Sequence, residues 1–420
     1  MISGIEQNPK LGFYQVGNEI FYSKPQAFIR GTEKDLYPLW NFNTKEFAKF
    51  NWEVEPETNL REIYRLRAQQ LRDKYDWIRI EASGGGDSTT AIFSFLLNGI
   101  HLDEVVFRYP KQLDKDVVAE AHDTRPENTL GEWQFAAQPL LNWIKTNYPK
   151  IIVTVHDYSE NLLKEDYMKD ESWVFNTRDW FQPGHGIKHH NFGTNEHRVL
   201  ADSGKKICAL YGIDKPKLAL IDNHWYVYFT DLQANHPNPI IGEYSNITSE
   251  LFYWTPDMPE IVAKQAHMVK QWFDMPNSKN IRHLPKFPAS VTIGNNRTAY
   301  ESLVKSIIYP DYDQQTWQTG KPNGSFYNEM DHWFHVNMQG TQIFSAWESG
   351  LEFLVNKIDS KYFMHEMGVP TGLMPKHSPF YYLGKSTYVD ESPAFVNRNY
   401  IHPNTHIIIC QDRKIRQVIV

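Results

Sequence analysis

The chain has 420 residues, of which 41% are hydrophobic, 22% charged and 14% aromatic, and its formal net charge is −7. That balance excludes a disordered chain and argues against broad, non-specific nucleic-acid binding, and no apolar run approaches membrane-spanning length. Two cysteines, Cys208 and Cys410, are too few for a disulfide framework and lack Cys-x-x-Cys spacing; with no basic stretch leading into an apolar core at the start, a cytoplasmic protein is expected.

The length exceeds what one core usually holds, and the pattern divides into an N-terminal extension over 1–58, an α/β unit over 59–235 and a mixed, largely helical region over 236–420. Phe13 to Val16 and Glu19 to Ser23 flank Gly17-Asn18 as a hairpin would. Asn59 with Glu62 three residues later reads as a helix start, and Leu60, Ile63, Tyr64, Ala68, Leu71 and Tyr75 make one apolar stripe behind it.

That helix leads into the most informative stretch of the chain. Trp77 to Ala82 reads as a strand and stops at Ser83-Gly84-Gly85-Gly86-Asp87-Ser88-Thr89. Ile92, Phe93, Leu96 and Leu97 then recur at helical spacing before Asn98-Gly99. A glycine turn between strand and helix gathers unpaired N–H groups at the positive end of a helix dipole, which suits an oligophosphate. A Walker A loop does not fit, because no Lys follows the glycines, and Gly384-Lys385-Ser386 has Pro379 where the first glycine belongs. Arg79 and Glu81 share a face of the strand with Trp77, so that face is expected to be only partly covered.

Further strands are expected at Glu104 to Tyr109 and Lys150 to Val155, with a helix from Trp133 to Ile144 between them that Pro139 makes irregular. Alternating strands and helices imply a parallel sheet, whose carboxyl ends would bring Ser83 to Thr89, Arg108-Tyr109 and His156-Asp157 to one cleft. Glu171 to Arg198 is rich in aromatics, glycine and histidine, including His185, His189, His190 and His197, and reads as a substrate-facing or packing loop rather than a metal site. Next come a strand at Lys206 to Leu210, the loop Gly212-Ile213-Asp214-Lys215-Pro216, and a hairpin about Asp222-Asn223. A helix over Met258 to Phe273 and a closing hairpin from His406 to Val420 complete the pattern.

The string Ser-Gly-Gly-Gly-Asp-Ser-Thr after a strand resembles the Ser-Gly-Gly-x-Asp-Ser signature of the PP-loop superfamily, the N-type ATP pyrophosphatases, over about Tyr75 to Tyr109. The resemblance implies an α/β, HUP-like parallel core that binds ATP and Mg²⁺ and releases pyrophosphate. It implies that Ser83, Gly84, Gly85, Gly86, Ser88 and Thr89 cradle the phosphates, that Asp87 organises Mg²⁺ or orients the loop, and that Phe107-Arg108-Tyr109 lies near the adenosine. By the same resemblance Asp214 would hold metal and Lys215 would neutralise charge at the α-phosphate. The plain structural readings are a helix cap for Asp87 and an ordinary turn for Asp214-Lys215-Pro216.

With so few cysteines, thiolating branches do not fit, and Cys410 in Ile407-Ile408-Ile409-Cys410 reads as a core residue. Ile2 follows Met1, so no processed N-terminal Cys nucleophile of the glutaminase kind is expected, and any nitrogen donor would be free or delivered by another chain. What remains resembles asparagine-synthetase-type synthetases, which adenylate a carboxylate or carbonyl for attack by an amine. Base modification of a nucleotide or nucleic acid, and inert ATP binding, stand as alternatives; homo-oligomerisation is left open.

Overall fold

The structure, a computed structural model, describes residues 5–109, 133–157, 170–175, 181, 199–231, 244–281, 285, 295–312, 329–366, 369–387, 407–411 and 414–418. The N-terminal hairpin forms as the sequence suggests: β1 (Phe13–Val16) and β2 (Glu19–Phe21) turn at Gly17-Asn18. After α1 (Lys24–Lys34), β3 (Leu39–Asn41) returns to the other edge of β1, and α2 (Thr44–Phe47) follows.

Helix α3 (Leu60–Lys74) starts where its cap dictates, with the Asn59 side chain accepting from the Glu62 N–H at 3.1 Å. Leu60, Ile63, Tyr64, Ala68 and Leu71 are buried as the stripe requires. Arg67 is buried among them, an apolar-face position that hydrophobic spacing cannot reveal.

Strand β4 (Trp77–Glu81) feeds α4 (Gly86–Leu96), and β5 (Glu104–Tyr109) pairs parallel to β4. A π turn over Trp133–Ala137 enters α5 (Gln138–Asn147) with Pro139 in its first turn, where the missing N–H costs nothing. Strand β6 (Ile152–Asp157) lies beside β5, and β7 (Ile207–Tyr211) lies on the opposite side of β4. The hairpin β8 (Lys217–Ile221) and β9 (His224–Tyr228) turns at Asp222 and Asn223, both at positive φ.

A fifth parallel strand, β10 (Ile247–Leu251), pairs with β7. It lies in the stretch the sequence assigns to the C-terminal region, because its polar centre, Thr248-Ser249-Glu250, hides it from a search for apolar runs. The central sheet is therefore all parallel, in the order β10-β7-β4-β5-β6. Numbered along the chain this is 3-2-1-4-5 read from the β6 edge, a doubly wound α/β sheet whose direction of winding reverses between β4 and β7.

The C-terminal region adds α6 (Glu260–Asp274), α7 (Asn295–Ile308), α8 (Glu329–Asn337) and α9 (Gln342–Lys357). It also adds the ribbon of β11 (Phe363–Glu366) and β12 (Val369–Leu373), then β13 (Tyr381–Lys385), which extends the β8–β9 hairpin. The closing hairpin, β14 (Ile407–Gln411) with β15 (Lys414–Val418), matches the sequence pattern. Among the described residues no helix is long and apolar enough to cross a membrane.

One large core runs from the N-terminal extension through the sheet to α6, α7 and β13. A second gathers Phe28 of α1, Trp173, Phe181 and the inward face of α9. Trp173 and Phe181, at the described ends of the aromatic and histidine-rich segment, are thus packing residues: Trp173 donates to the Ala346 carbonyl, and Trp347 donates to the Phe181 carbonyl. The histidines at 185–197 lie outside the described residues.

Two expectations need correction. Leu97 caps the end of α4 and is exposed, because the apolar run outlasts the helix. The Arg79 face of β4 is not partly open, since Arg79 is 1% exposed. Its guanidinium is buried beside Glu81 and His156, and paired charge tolerates burial where lone charge would not.

Arg67 of α3 meets Glu250 of β10 at 3.2 Å, both almost wholly buried, and Arg67 also donates to the Leu251 carbonyl. Burial alone would raise the Glu250 pKa, but Arg67, Lys74, Tyr75 and Lys10 hold it at about 2, below an ordinary 4.5. A carboxylate depressed on folding contributes stability that is complete above its unfolded value and lost as pH falls through the folded value. The pair should therefore stabilise the protein above pH 4.5 and lose its effect as the pH falls toward 2. Glu250→Gln leaves Arg67 buried without its counter-charge and should cost about 3–5 kcal/mol at neutral pH, with a smaller difference from wild type at pH 2–3, measured by urea unfolding.

Candidate functional site

The glycine turn leaves β4 beside the point where the sheet reverses. Gly85 is the residue before α4, with extended backbone and no side-chain cap, so Asp87 is not the helix cap but the second residue of the helix. Hydroxyls knit the turn together. Ser88 Oγ accepts from the Ser83 N–H at 3.1 Å, and Ser83 Oγ accepts from the Gly85 N–H at 3.4 Å. The N–H groups of Gly86, Asp87 and Ser88 donate to no carbonyl or side chain among the described residues. Thr89 is wholly buried, and its hydroxyl has no partner there either.

Gly84 has φ +70, and a Cβ on it would stand 2.6 Å from the backbone of Ala136 and Ala137. The turn is thus pressed against the entry to α5, a fit that requires glycine. On the opposite side the loop after β7 approaches as closely, since a Cβ on Gly212 would lie 2.8 Å from Ser88 Cα and 2.9 Å from the Asp87 carbonyl oxygen.

This second contact brings Lys215 to Asp87. Lys215 Nζ donates to Asp87 Oδ1 and Oδ2 at 3.0 and 2.9 Å and to Asp214 Oδ1 at 2.7 Å. Lys217 Nζ stands 3.0 Å from Asp214 Oδ2 and 3.1 Å from Glu301 of α7. Burial alone would lower the Lys215 pKa, but Asp214, Asp87 and Glu301 raise it well above the usual lysine range, so the side chain is an ammonium. Burial would likewise raise Asp214, yet Lys215 and Lys217 hold it below the usual carboxylate range. Three residues singled out from sequence, Asp87, Asp214 and Lys215, therefore form one buried ion cluster.

Arg108 sits apart from that cluster, at the carboxyl end of β5. Its guanidinium grips Glu81 through two bonds, at 3.1 and 2.9 Å. Burial would raise the Glu81 pKa, but Arg108 and then Arg79 pull it below the ordinary range. His156 Nε2 lies 3.1 Å from Arg79 Nη2, so the imidazole borders the same buried charge group. Phe107 and Tyr109 stack on Trp133, with ring centroids 5.3 and 4.8 Å away, so their rings serve the core.

Sequence reading missed two tyrosines. Tyr253, just past β10, donates to the Asp87 carbonyl at 2.8 Å, and Tyr309, just past α7, donates to Asp87 Oδ1. Nothing local marks either residue, since both reach the turn only through tertiary packing.

As a metal site the residues divide. Both oxygens of Asp214 are engaged by lysines, whereas Asp87 is partly exposed and its Oδ2 accepts only from Lys215 among the described residues. No group of three or more His, Cys, Asp or Glu able to hold a metal occurs among the described residues. A cation here would take one protein carboxylate, from Asp87, and draw its other ligands from water and a bound phosphate, a pattern that suits Mg²⁺. Comparison with family models finds no match for the chain, and no curated protein is detectably similar to it in sequence.

The close approach at Gly212 is testable without a ligand. Gly212→Ala must push the β7 loop away from α4 and should cost about 1–3 kcal/mol. Gly99→Ala has nothing within 4 Å of the added carbon and bears only the strain of its φ of +66, about 1 kcal/mol. Chemical denaturation of the two variants compares these costs directly.

Proposed function

We propose that the chain is an Mg²⁺-dependent adenylating enzyme of the PP-loop kind, a ligase or synthetase that splits ATP into AMP and pyrophosphate. The observation that carries this reading is the location of the glycine turn. It joins the first strand and helix of a doubly wound sheet at the point of reversal, with N–H groups unclaimed among the described residues and a buried lysine brought within 3.0 Å of the acidic residue of the turn.

In this reading the N–H groups of Gly86, Asp87 and Ser88, with the hydroxyls of Ser83 and Ser88, hold the β- and γ-phosphates, while Thr89, wholly buried, lies behind the turn rather than on the ligand. Mg²⁺ on Asp87 would offset charge that neutral donors cannot. Lys215, kept charged by Asp214, stabilises negative charge as it builds at the α-phosphate. Asp214 is the anchor of that lysine rather than a metal ligand. Arg108, held by Glu81, shapes the wall beside the adenosine, and contact with the base falls to the backbone of β5.

The chemistry balances in two steps. A carboxylate or carbonyl oxygen of the acceptor attacks the α-phosphorus, the bond to the bridging oxygen breaks, and pyrophosphate leaves with the electron pair. An amine then attacks the activated carbon, the carbon–oxygen bond to AMP breaks with its electron pair going to AMP, and the amine gives up a proton to solvent.

With ATP, Mg²⁺ and a competent acceptor, AMP and pyrophosphate should appear in equal amounts; ADP with orthophosphate and no AMP would contradict the mechanism. Asp87→Asn should lower pyrophosphate release at least ~10²-fold, the scale of one positioned electrostatic group, in a chain that still folds because Lys215 keeps Asp214.

A thiolating enzyme would need a reactive cysteine, and Cys208 lies fully buried in β7, where burial and then Glu250 raise its thiol well above the usual range. The double variant Cys208→Ala, Cys410→Ala should keep pyrophosphate release within a few-fold at a stability loss of roughly 1–2 kcal/mol. Abolished product formation with ATP binding intact would point to sulfur transfer instead.

A further inference from the structure

The Asp87 carboxylate is oriented from a part of the chain that no motif indicates. Tyr309 closes α7, its N–H donating to the Lys305 carbonyl, and it is 2% exposed. The end of α7 is pinned in turn by α3, because Tyr64 donates to the Ile308 carbonyl at 2.8 Å. From there the Tyr309 ring lies against the glycine turn: a Cβ on Gly86 would stand 3.0 Å from Tyr309 Cδ2. Its hydroxyl donates to Asp87 Oδ1. Tyr253 packs against it, with ring centroids 5.7 Å apart, and holds the other end of the same residue through the Asp87 carbonyl.

Each carboxylate oxygen can accept two hydrogen bonds or ligands. Oδ1 is filled, by Lys215 and Tyr309, while Oδ2 accepts from Lys215 alone among the described residues. We propose that Tyr309 is a positioning residue that fixes the rotation of the Asp87 carboxylate and so presents the open side of Oδ2 to a divalent cation. The proposal rests on the metal–nucleotide reading given above. It adds that the site is completed from the C-terminal region. Without the hydroxyl every charge remains, but Lys215, a single point facing both oxygens, is then the one restraint among the described residues on rotation about the Cβ–Cγ bond.

The test uses the full chain, a non-hydrolysable ATP analogue and Mn²⁺, with free Mn²⁺ followed by electron paramagnetic resonance. Tyr309→Phe keeps the ring that packs on Gly86 and should raise half-saturating Mn²⁺ roughly tenfold, the scale of one hydrogen bond to a charged group. In an Asp87→Asn background the same substitution should change nothing further, since a residue that acts through the carboxylate has no effect once the carboxylate is gone. Unchanged Mn²⁺ binding in Tyr309→Phe, or two effects that simply add, would overturn the proposal while leaving the nucleotide site standing. A wild-type chain that binds neither analogue nor Mn²⁺ overturns the functional reading itself, and this proposal with it.

Discussion

The backbone contact between Gly212 and the start of α4 is the constraint on which the site depends. Two segments separated by well over a hundred residues meet with no room for a single methylene, so the loop after β7 has essentially one way to pass the glycine turn. Lys215, three residues on, is thereby committed to Asp87. Gly84 applies the same constraint from the other side, against Ala136 and Ala137. The turn is held between two close approaches, and its N–H groups, which have no partner among the described residues, keep one geometry that no ligand is needed to impose.

Among the described residues, several buried charges are grouped in sets. Lys215 and Lys217 are shared among Asp87, Asp214 and Glu301. Arg79 and Arg108 share Glu81. Asp231, wholly buried, accepts from Lys24, from Tyr14 and from the Lys376 backbone. A buried ion needs compensating charge and hydrogen bonds around it, and sharing supplies counter-charge with few residues. The sharing also ties distant segments together: Asp231 joins α1, β1 and the segment before β13, while Glu301 joins α7 to Lys217 at the start of β8.

What the sequence discloses follows from the range of the interaction that encodes it. Strands β4 and β5, the caps and stripe of α3, the Asp222-Asn223 turn and the closing hairpin are written in local spacing, and all are present. The glycine turn is equally legible because its residues are consecutive, and Asp214-Lys215 is visible as a loop after a strand. Arg67 on an apolar face, the polar strand β10 and the burial of Arg79 are not legible, because each depends on a partner far along the chain. Asp87 shows both limits. Its place in the turn is evident, but its position within α4 rather than at the cap, and its contacts with Tyr253 and Tyr309, come only from the folded arrangement.

The lysine at the center of the cluster shows why such a site is built from several segments. A lysine buried alone sheds its proton, and a carboxylate buried alone takes one up, so neither could supply a fixed charge. Asp214 lies next to Lys215 in sequence and holds it charged, while Lys217 and Glu301 complete the shell around Asp214. That arrangement leaves the contact with Asp87 as the one that another group can replace without leaving the ammonium unpaired. Asp87 is also the more exposed of the two carboxylates on Lys215, at 21% against 6% for Asp214. The buried partner therefore fixes the charge of Lys215, and the exposed partner is the side on which that fixed charge borders solvent.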